Sequence, residues 1–464
     1  MSTNPFFEHW NTPFKTPPFG QIRPEHFRPA YERAFADHAL EISRIAADPS
    51  TPSFENTIIA LEKSGHMLSR IDLVFGNLAA SDTNEELQSI ERDLAPLHAR
   101  HWNAIFLDAE LFRRVEDLFM RRESLNLDAE SLRVLERYRL DFVRAGAKLE
   151  SGERERYAQI GERLAELGTA FGQNVLADEQ DFVLPLQEGD LDGLPDFARN
   201  VAAGIAKQRK LEAPYAVTTS RSSAEPFLQF SNRRDLREKV FKALTARGDN
   251  ANEHDNKALI AEIVKLRAER AKLLGYATFA DYRLADTMAR TPDTARLLLD
   301  QVWTAARSRA LEERDALQAV VAEEGNNFAL AAWDWRYYAE KLRKERYDFD
   351  EAEIIPYFQL DRMIEAAFDT ARRLFGLDFQ EREDIPVYHP DVRVWDVTRG
   401  GEHIGLFFGD YFERPSKRGG AWMSSFRDKE NIEGKITPII INTCNFPKTN
   451  PALLNFDEAK DLFK

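Results

Sequence analysis

Nine histidines are the first side chains in this sequence to test for chemistry: His9, His26, His38, His66, His98, His101, His254, His389 and His403. In an acid-rich chain with long helical patterns they could arm a zinc hydrolase through H-E-x-x-H. There, two imidazoles four apart share one helix face and bind the metal, and the glutamate between them acts as general base. No pair of histidines here makes that pattern. His98 and His101, three apart on a predicted helix, come nearest, but His101 continues an apolar stripe and no acid stands where a third ligand or base belongs. The expectation is a hydrogen-bonded boundary histidine. Glu253-His254-Asp255 sits at a predicted helix start, where acidic groups favour the dipole and cap free N–H groups.

The other reactive groups read in the same way. Cys444 follows an apolar strand, with His389 and His403 in the same region. Convergence would give a Cys–His nucleophile, whereas a small buried side chain is the expected role of a lone cysteine at a strand end. Gly419-Gly420 with Lys417-Arg418 has the composition of a phosphate loop but neither its spacing nor its Lys-Ser/Thr. Arg133, Arg137, Arg139, Arg267 and Arg270 lie among acids at helical spacing and read as solvated, paired faces. Trp333, Trp335, Tyr337 and Tyr338 read as core packing at a helix start, and could also wall a channel. The residues by themselves therefore give no catalytic and no metal-ligating set.

These groups are carried on predicted elements. Ile71, Val74, Phe75 and Leu78 follow three-and-four spacing, the mark of one buried helical stripe. Thr83-x-x-Glu86 is a capping box ahead of Leu87, Ile90, Leu94 and Leu97. Further helices are predicted at roughly 110–122, 128–149, 152–178, 234–247, 255–274, 292–324, 335–345 and 361–375. Asp190 to Leu194, with Gly193, reads as a turn into a helix. Gly275 and Gly376 stand where helix C-caps belong. After about residue 384 the pattern shortens: Ile385–Tyr388, Val392–Val397, Ile404–Phe408, Trp422–Phe426 and Ile436–Ile441 read as strands of a small, mostly antiparallel sheet. Asn455-Phe456-Asp457-Glu458 starts a last helix that Ala459 to Phe463 continue. No Gly, Asn or Pro closes it before Lys464, so it reads as an element cut short.

Composition bounds the partners. A formal net charge of −15 speaks against nucleic acid and against an anionic membrane, because phosphate surfaces need a basic face. One cysteine excludes an intrachain disulfide framework and fits a reducing compartment. Met1 to Gly20 lacks the basic start and apolar run of a signal peptide, and no window approaches roughly eighteen uninterrupted apolar residues. A cytoplasmic setting is expected. The fold class is mainly α: an N-terminal helical part (1–150), a helical body (151–384) and a partial α+β region (385–464).

Several segments in order resemble one family, the thimet oligopeptidase and peptidyl-dipeptidase family of zinc metallopeptidases, nearest its bacterial peptidyl-dipeptidase branch. They are Asp141-Phe-Val-Arg-Ala-Gly-Ala147, Phe171-Gly-Gln-Asn-Val-Leu176 and Asp235-Leu-Arg-Glu-Lys-Val-Phe241. Leu266-Arg-Ala-Glu-Arg-Ala-Lys-Leu-Leu-Gly-Tyr276, Trp333-Asp-Trp-Arg-Tyr-Tyr338 and Tyr357-Phe-Gln-Leu360 follow. Arg414-Pro-Ser-Lys-Arg-Gly-Gly-Ala-Trp-Met423 and Asn442-Thr-Cys-Asn-Phe446 complete the set.

The resemblance implies a zincin-like oligopeptidase fold, here incomplete, whose channel admits short unstructured peptides. It implies that Asn455–Phe463 starts the active-site helix and that Lys464 stands where the first zinc histidine would. Zinc is the family's cofactor, and none is expected on this chain. Gly419, Gly420, Ala421, Trp422 and Met423 resemble the family's substrate-binding edge strand, to which a peptide adds by backbone hydrogen bonds. The expected reading is a protein of metallopeptidase lineage that is inactive alone; the alternatives are a non-catalytic peptide-binding protein or a truncated remnant. A separately encoded C-terminal fragment is the partner that would complete it.

Overall fold

The computed structural model describes residues 4–348 and 351–463. The apolar stripes become helices: α1 (Phe27–Ala46), the single turn α2 (Ala60–Glu62), α3 (His66–Ser81), α4 (Glu85–Phe106), α5 (Ala109–Met120) and α6 (Ala129–Arg144). Ile71, Val74 and Phe75 are buried on α3, and Leu78 packs at their margin, as the spacing requires. The cap of α4 falls one residue later than expected. Asn84 accepts from the Leu87 N–H at 2.9 Å, because the Thr83 N–H is taken by the Ser416 carbonyl.

A 31-residue helix, α7 (Ser151–Asp181), runs along α4 and leads into β1 (Val183–Leu186). That strand pairs antiparallel with β2 (Tyr215–Thr218) across α8 (Asp196–Gln208), a two-stranded sheet the helical pattern concealed. The turn before α8 needs Gly193: its φ is +85°, and a Cβ there would stand 2.4 Å from the Phe230 carbonyl oxygen. The helical body continues through α9 (Arg221–Phe230), α10 (Arg234–Thr245), α11 (Lys257–Leu273), α12 (Phe279–Leu284) and α13 (Pro292–Glu323). It closes with α14 (Trp335–Tyr347), α15 (Glu351–Ile354) and α16 (Leu360–Phe375). The aromatic cluster at the start of α14 is core: Tyr337 and Tyr338 are buried, and the Arg237 guanidinium lies 4.0 Å from the Tyr337 ring centre.

The second sheet is mixed. Its order is β3 (Leu377–Glu381), β4 (Arg393–Arg399), β5 (Glu402–Phe412), β7 (Ile439–Phe446) and β6 (Trp422–Arg427). Every neighbouring pair is antiparallel except β5 and β7. The chain leaves β5, builds the outer strand β6, and returns between them, so β7 runs parallel to β5. Ile385–Tyr388 is not a strand. Pro386 removes a ladder N–H, and Ile385 instead plugs the core as a buried loop residue. The strand overlooked nearby, β3, starts directly after Gly376, whose φ of +67° turns the chain out of α16. Pro438 likewise delays β7 to Ile439, leaving Ile436 in an isolated bridge with Glu430.

Both faces of this sheet are covered. Val394, Leu406, Phe408 and Ile441 join Phe6, Phe27, Ile71 and Ile90 in one core, while Trp395, Tyr411 and Phe446 pack toward α16 and α17 (Phe456–Phe463). The start of α17 forms as its sequence foretells: Glu458 N–H donates to Asn455 Oδ1 and Asn455 N–H donates to the Glu458 carboxylate, both at 2.8 Å. Leu462 packs against Tyr411 and Leu454 in that second core, and Phe463 remains 47% exposed. Lys464 lies outside the described residues. No helix among the described residues is long and apolar enough to cross a membrane.

Candidate functional site

The sheet positions one free edge. In β7, the Pro438 carbonyl accepts from Leu406 of β5, so alternate residues of β7 face β5 and the intervening ones face β6. The pairs that bond across β6 and β7 are then Trp422–Thr443 and Ser424–Ile441. Met423 and Ser425 therefore turn their backbone groups away from the sheet. The Ser425 carbonyl is already taken by Asn77 Nδ2 of α3 at 2.8 Å. Met423 is not covered: its side chain is 70% exposed, and Gly419, Gly420 and Ala421 before it are exposed as well. All five residues expected to meet substrate thus form one continuous open segment, with Trp422 half-buried.

The loop that delivers this segment is held by a buried charge cluster. Asp410, at the end of β5, has no solvent exposure. Arg414 Nη1 reaches its Oδ1 at 2.8 Å and Lys417 Nζ the same oxygen at 2.9 Å, while Tyr388 donates its hydroxyl to Oδ2. Lys417 also donates to the Phe412 and Cys444 carbonyls at 2.7 and 2.8 Å. Burial pushes the lysine down to about 8, against the pull of Asp410. Burial raises the Asp410 carboxyl too, but Arg414 and Lys417 outweigh it and hold the group below its ordinary range. Lys417 is thus a structural pin, with no donor left for phosphate, and Arg418 pairs with Glu91 at 2.8 Å.

Beside Gly419 and Gly420 opens a cleft of about 700 Å³. Its walls come from α7 (Glu179), α8 (Arg209), the β2–α9 turn (Ser220, Arg221) and the β5–β6 loop (Glu413, Pro415). Arg209, Arg221 and Arg247 line it together with Glu179, Glu225 and Glu413, so the lining presents both signs of charge. Burial raises the Glu179 carboxyl despite its contact with Arg247. Glu413 is raised in the same way and accepts from the Ser222 hydroxyl. Glu458 on α17 is pushed up to about 7, chiefly by burial, with Glu413 and Glu225 adding to it.

A carboxyl held above its ordinary range favours the folded state at low pH and loses that advantage as pH rises toward 7. Glu458→Gln removes the penalty. It is expected to raise the melting temperature at pH 8 and to leave it nearly unchanged at pH 4.5. The gain at pH 8 is at most about 3 kcal/mol, and nearer 1 once partial exposure is allowed for. Thermal melts of both proteins at the two pH values check this.

The remaining candidates stay apart. Cys444 is buried and pushed up to about 12, mainly by burial, so it offers no thiolate. His403 is bonded to Asp396 and Thr437, and His389 to the Asp391 N–H, so no Cys–His pair forms. His98 contacts Asp72 at 2.7 Å and His101 contacts His38 at 2.9 Å. Asp255 caps Lys257, as a helix-start acid should. Arg137 and Arg139 pair with Asp141 and Glu116, while Arg267 and Arg270 lie over the Phe279 ring. Among the described residues no group of three or more His, Cys, Asp or Glu side chains could hold a metal ion. The zinc that the family resemblance implies therefore does not fit the side chains described. Sequence reasoning missed Glu413 and Ser222, and read Glu458 only as a helix-start acid. Ser222 and Glu413 lie 191 positions apart, and no local pattern marks their meeting.

Comparison with known proteins bears on this site. A sequence model of peptidase family M3 matches residues 227–464. Dipeptidyl carboxypeptidase of Escherichia coli (strain K12) is 39% identical over 466 residues, covering 99% of this chain and 68% of that protein. Its counterpart in Salmonella typhimurium is 38% identical over 100% of this chain and 69% of its own length. Oligopeptidase A of Escherichia coli (strain K12) is 30% identical over 99% of this chain and 69% of its own length.

Proposed function

The chain belongs to peptidase family M3, and from that premise we propose that its cleft binds short, unstructured peptides by adding them as a strand to the edge at Gly419–Met423. The observation that carries this reading is the outward backbone of Met423, in the strand that follows directly on Gly419 and Gly420 of the 700 Å³ cleft wall. An extended peptide laid there meets unpaired N–H and C=O groups, the requirement for strand addition. Ala421, two residues earlier, faces the same way, and Asn77 closes the edge at Ser425. The edge thus accepts a short stretch of backbone and no long strand. The mixed charges of Arg209, Arg247, Glu179 and Glu225 then serve peptide termini and side chains of either sign. In this reading the helical body 151–384 forms the channel wall, 385–464 supplies the binding edge, and 1–150 is the N-terminal helical part.

Peptide hydrolysis by the chemistry of this family needs a zinc ion that lowers the pKa of a bound water. The 464 residues contain no H-E-x-x-H, and the described side chains offer no alternative set. The chain by itself is therefore proposed to bind peptides without cutting them, with a polypeptide carrying the missing motif as the partner that would confer cleavage. One buried cysteine and the acidic net charge support a cytoplasmic setting.

Met423→Pro tests the binding mode, because it removes an outward N–H without breaking a ladder bond. Peptide affinity measured by calorimetric titration should fall about tenfold, the worth of a well-made hydrogen bond plus local strain. Met423→Ala keeps the N–H and should bind as the parent does. Equal affinity in all three proteins overturns strand addition. Peptide hydrolysis that a chelator abolishes and that tracks the purified chain overturns the proposed lack of cleavage.

A further inference from the structure

A second cavity of about 650 Å³ lies along the N-terminal half of α3, between the N-terminal segment and the β6–β7 connection. Its inner walls are apolar: Phe6, Trp10, Phe426 and Ile439 are all buried there. Set among them are two guanidinium groups, Arg70 and Arg427. Neither forms an ion pair among the described residues. Arg427 donates only to neutral acceptors, the Thr437 and Phe14 carbonyls at 2.7 and 2.8 Å and the Thr437 hydroxyl at 3.4 Å. Arg70 donates to the Phe6 carbonyl and lies 4.6 Å from the Trp10 ring centre. Its Nε is removed from solvent and has no hydrogen-bond partner.

This arrangement is costly as it stands. A guanidinium carries five donors and a charge that cannot be shed, and half-burying it without a counter-charge is unfavourable. Burial alone lowers both arginines from their ordinary value. The remaining lining does not compensate: Lys15 and Lys429 add positive charge and Arg33 is paired with Asp37, against the three carboxylates Glu62, Asp428 and Glu430. Of those, Glu62 accepts from the Tyr138 hydroxyl and Asp428 from the Ser425 hydroxyl. In a chain of net charge −15, an excess of cations around an apolar hollow marks a place for an anion.

We propose that this cavity is a binding site for a small organic anion, an apolar or aromatic body bearing one carboxylate or phosphate head. The body replaces water against Phe6, Trp10 and Phe426, and the head accepts from Arg70 and Arg427. The site shares no lining residue with the peptide cleft and is separate from it. A bound head also ties together Arg70 of α3, the N-terminal segment that both arginines hold by carbonyls, and the end of β6.

The test uses the full chain and calorimetric titration with 3-phenylpropionate, phenyl phosphate and the neutral 3-phenylpropanamide. Saturable binding of at least one of the two anions is expected. The neutral amide should bind about tenfold more weakly or not at all, since charge-assisted bonds supply that factor. Which anion binds more tightly identifies the head group. Ser69 is exposed at the cavity wall, so its replacement leaves the core intact. Ser69→Glu supplies a resident carboxylate and should weaken anion binding about tenfold or more while raising the melting temperature, whereas Ser69→Gln, of equal size, should do neither. No saturable binding of either anion, equal binding of the amide, or equal affinities in the two Ser69 variants would overturn the proposal.

Discussion

Asp410→Ala is expected to destabilise the protein by about 3–5 kcal/mol and to abolish peptide binding at the β6 edge together with it. The reason is the fate of the partners. Arg414 and Lys417 are buried with Asp410 as their shared carboxylate, and truncating it leaves Lys417 with backbone carbonyls and Arg414 with the Ser81 carbonyl and the half-exposed Asp82 at 3.8 Å. The loop from Glu413 to Gly420 then loses what fixes its path between α3 and β7. Denaturant titration should show the lost stability. A milder variant separates the two effects: Asp410→Asn keeps the hydrogen-bonding shape, so it should fold with reduced stability and bind peptide more weakly. Full affinity in the folded Asn variant would mean that the charge cluster does not position the edge.

Asp334→Ala is expected to cost a similar amount, about 3–5 kcal/mol, with no effect on the peptide edge apart from that. Asp334 is fully buried and receives Arg237 Nη2 at 2.9 Å and Arg234 Nη2 at 2.8 Å. Arg237 is itself almost fully buried and bonds the Ser231 carbonyl at 2.7 Å. Asp334 also accepts the Ala331 N–H, closing the turn into α14. Its removal strands a buried guanidinium and uncaps that turn at once. Chemical denaturation measures the loss. A double change, Asp334→Leu with Arg237→Met, should recover part of it, because an apolar pair of matched volume carries no desolvation cost.

The sequence announced these features unevenly. Ile71, Val74 and Phe75 are buried as their spacing demanded, and Asn455 and Glu458 exchange the hydrogen bonds their three-residue separation foretold. Such signals are legible because their cause lies within one helical turn. Cap choice at Asn84 was not, since Thr83 was diverted by Ser416, 333 positions away in the chain. Nor was the parallel pairing of β5 and β7, which depends on where β6 attaches. The open edge at Gly419–Met423 was reachable by resemblance and its backbone direction only from the ladder. Lys417 shows the limit most plainly. Beside two glycines it suggested a phosphate loop, and only the fold reveals that Asp410 and the Cys444 carbonyl already hold it.

The core that joins Phe6, Phe27 and Ile71 to Phe408 and Ile441 sets an order of events during synthesis. The innermost contacts of the N-terminal helices belong to a sheet whose β7 strand is synthesised long after them. Until then those helices present a greasy flank with nothing to seal it, and loop closure over hundreds of residues must precede consolidation. Nascent chains should therefore depend on a holding chaperone until translation passes Ile441.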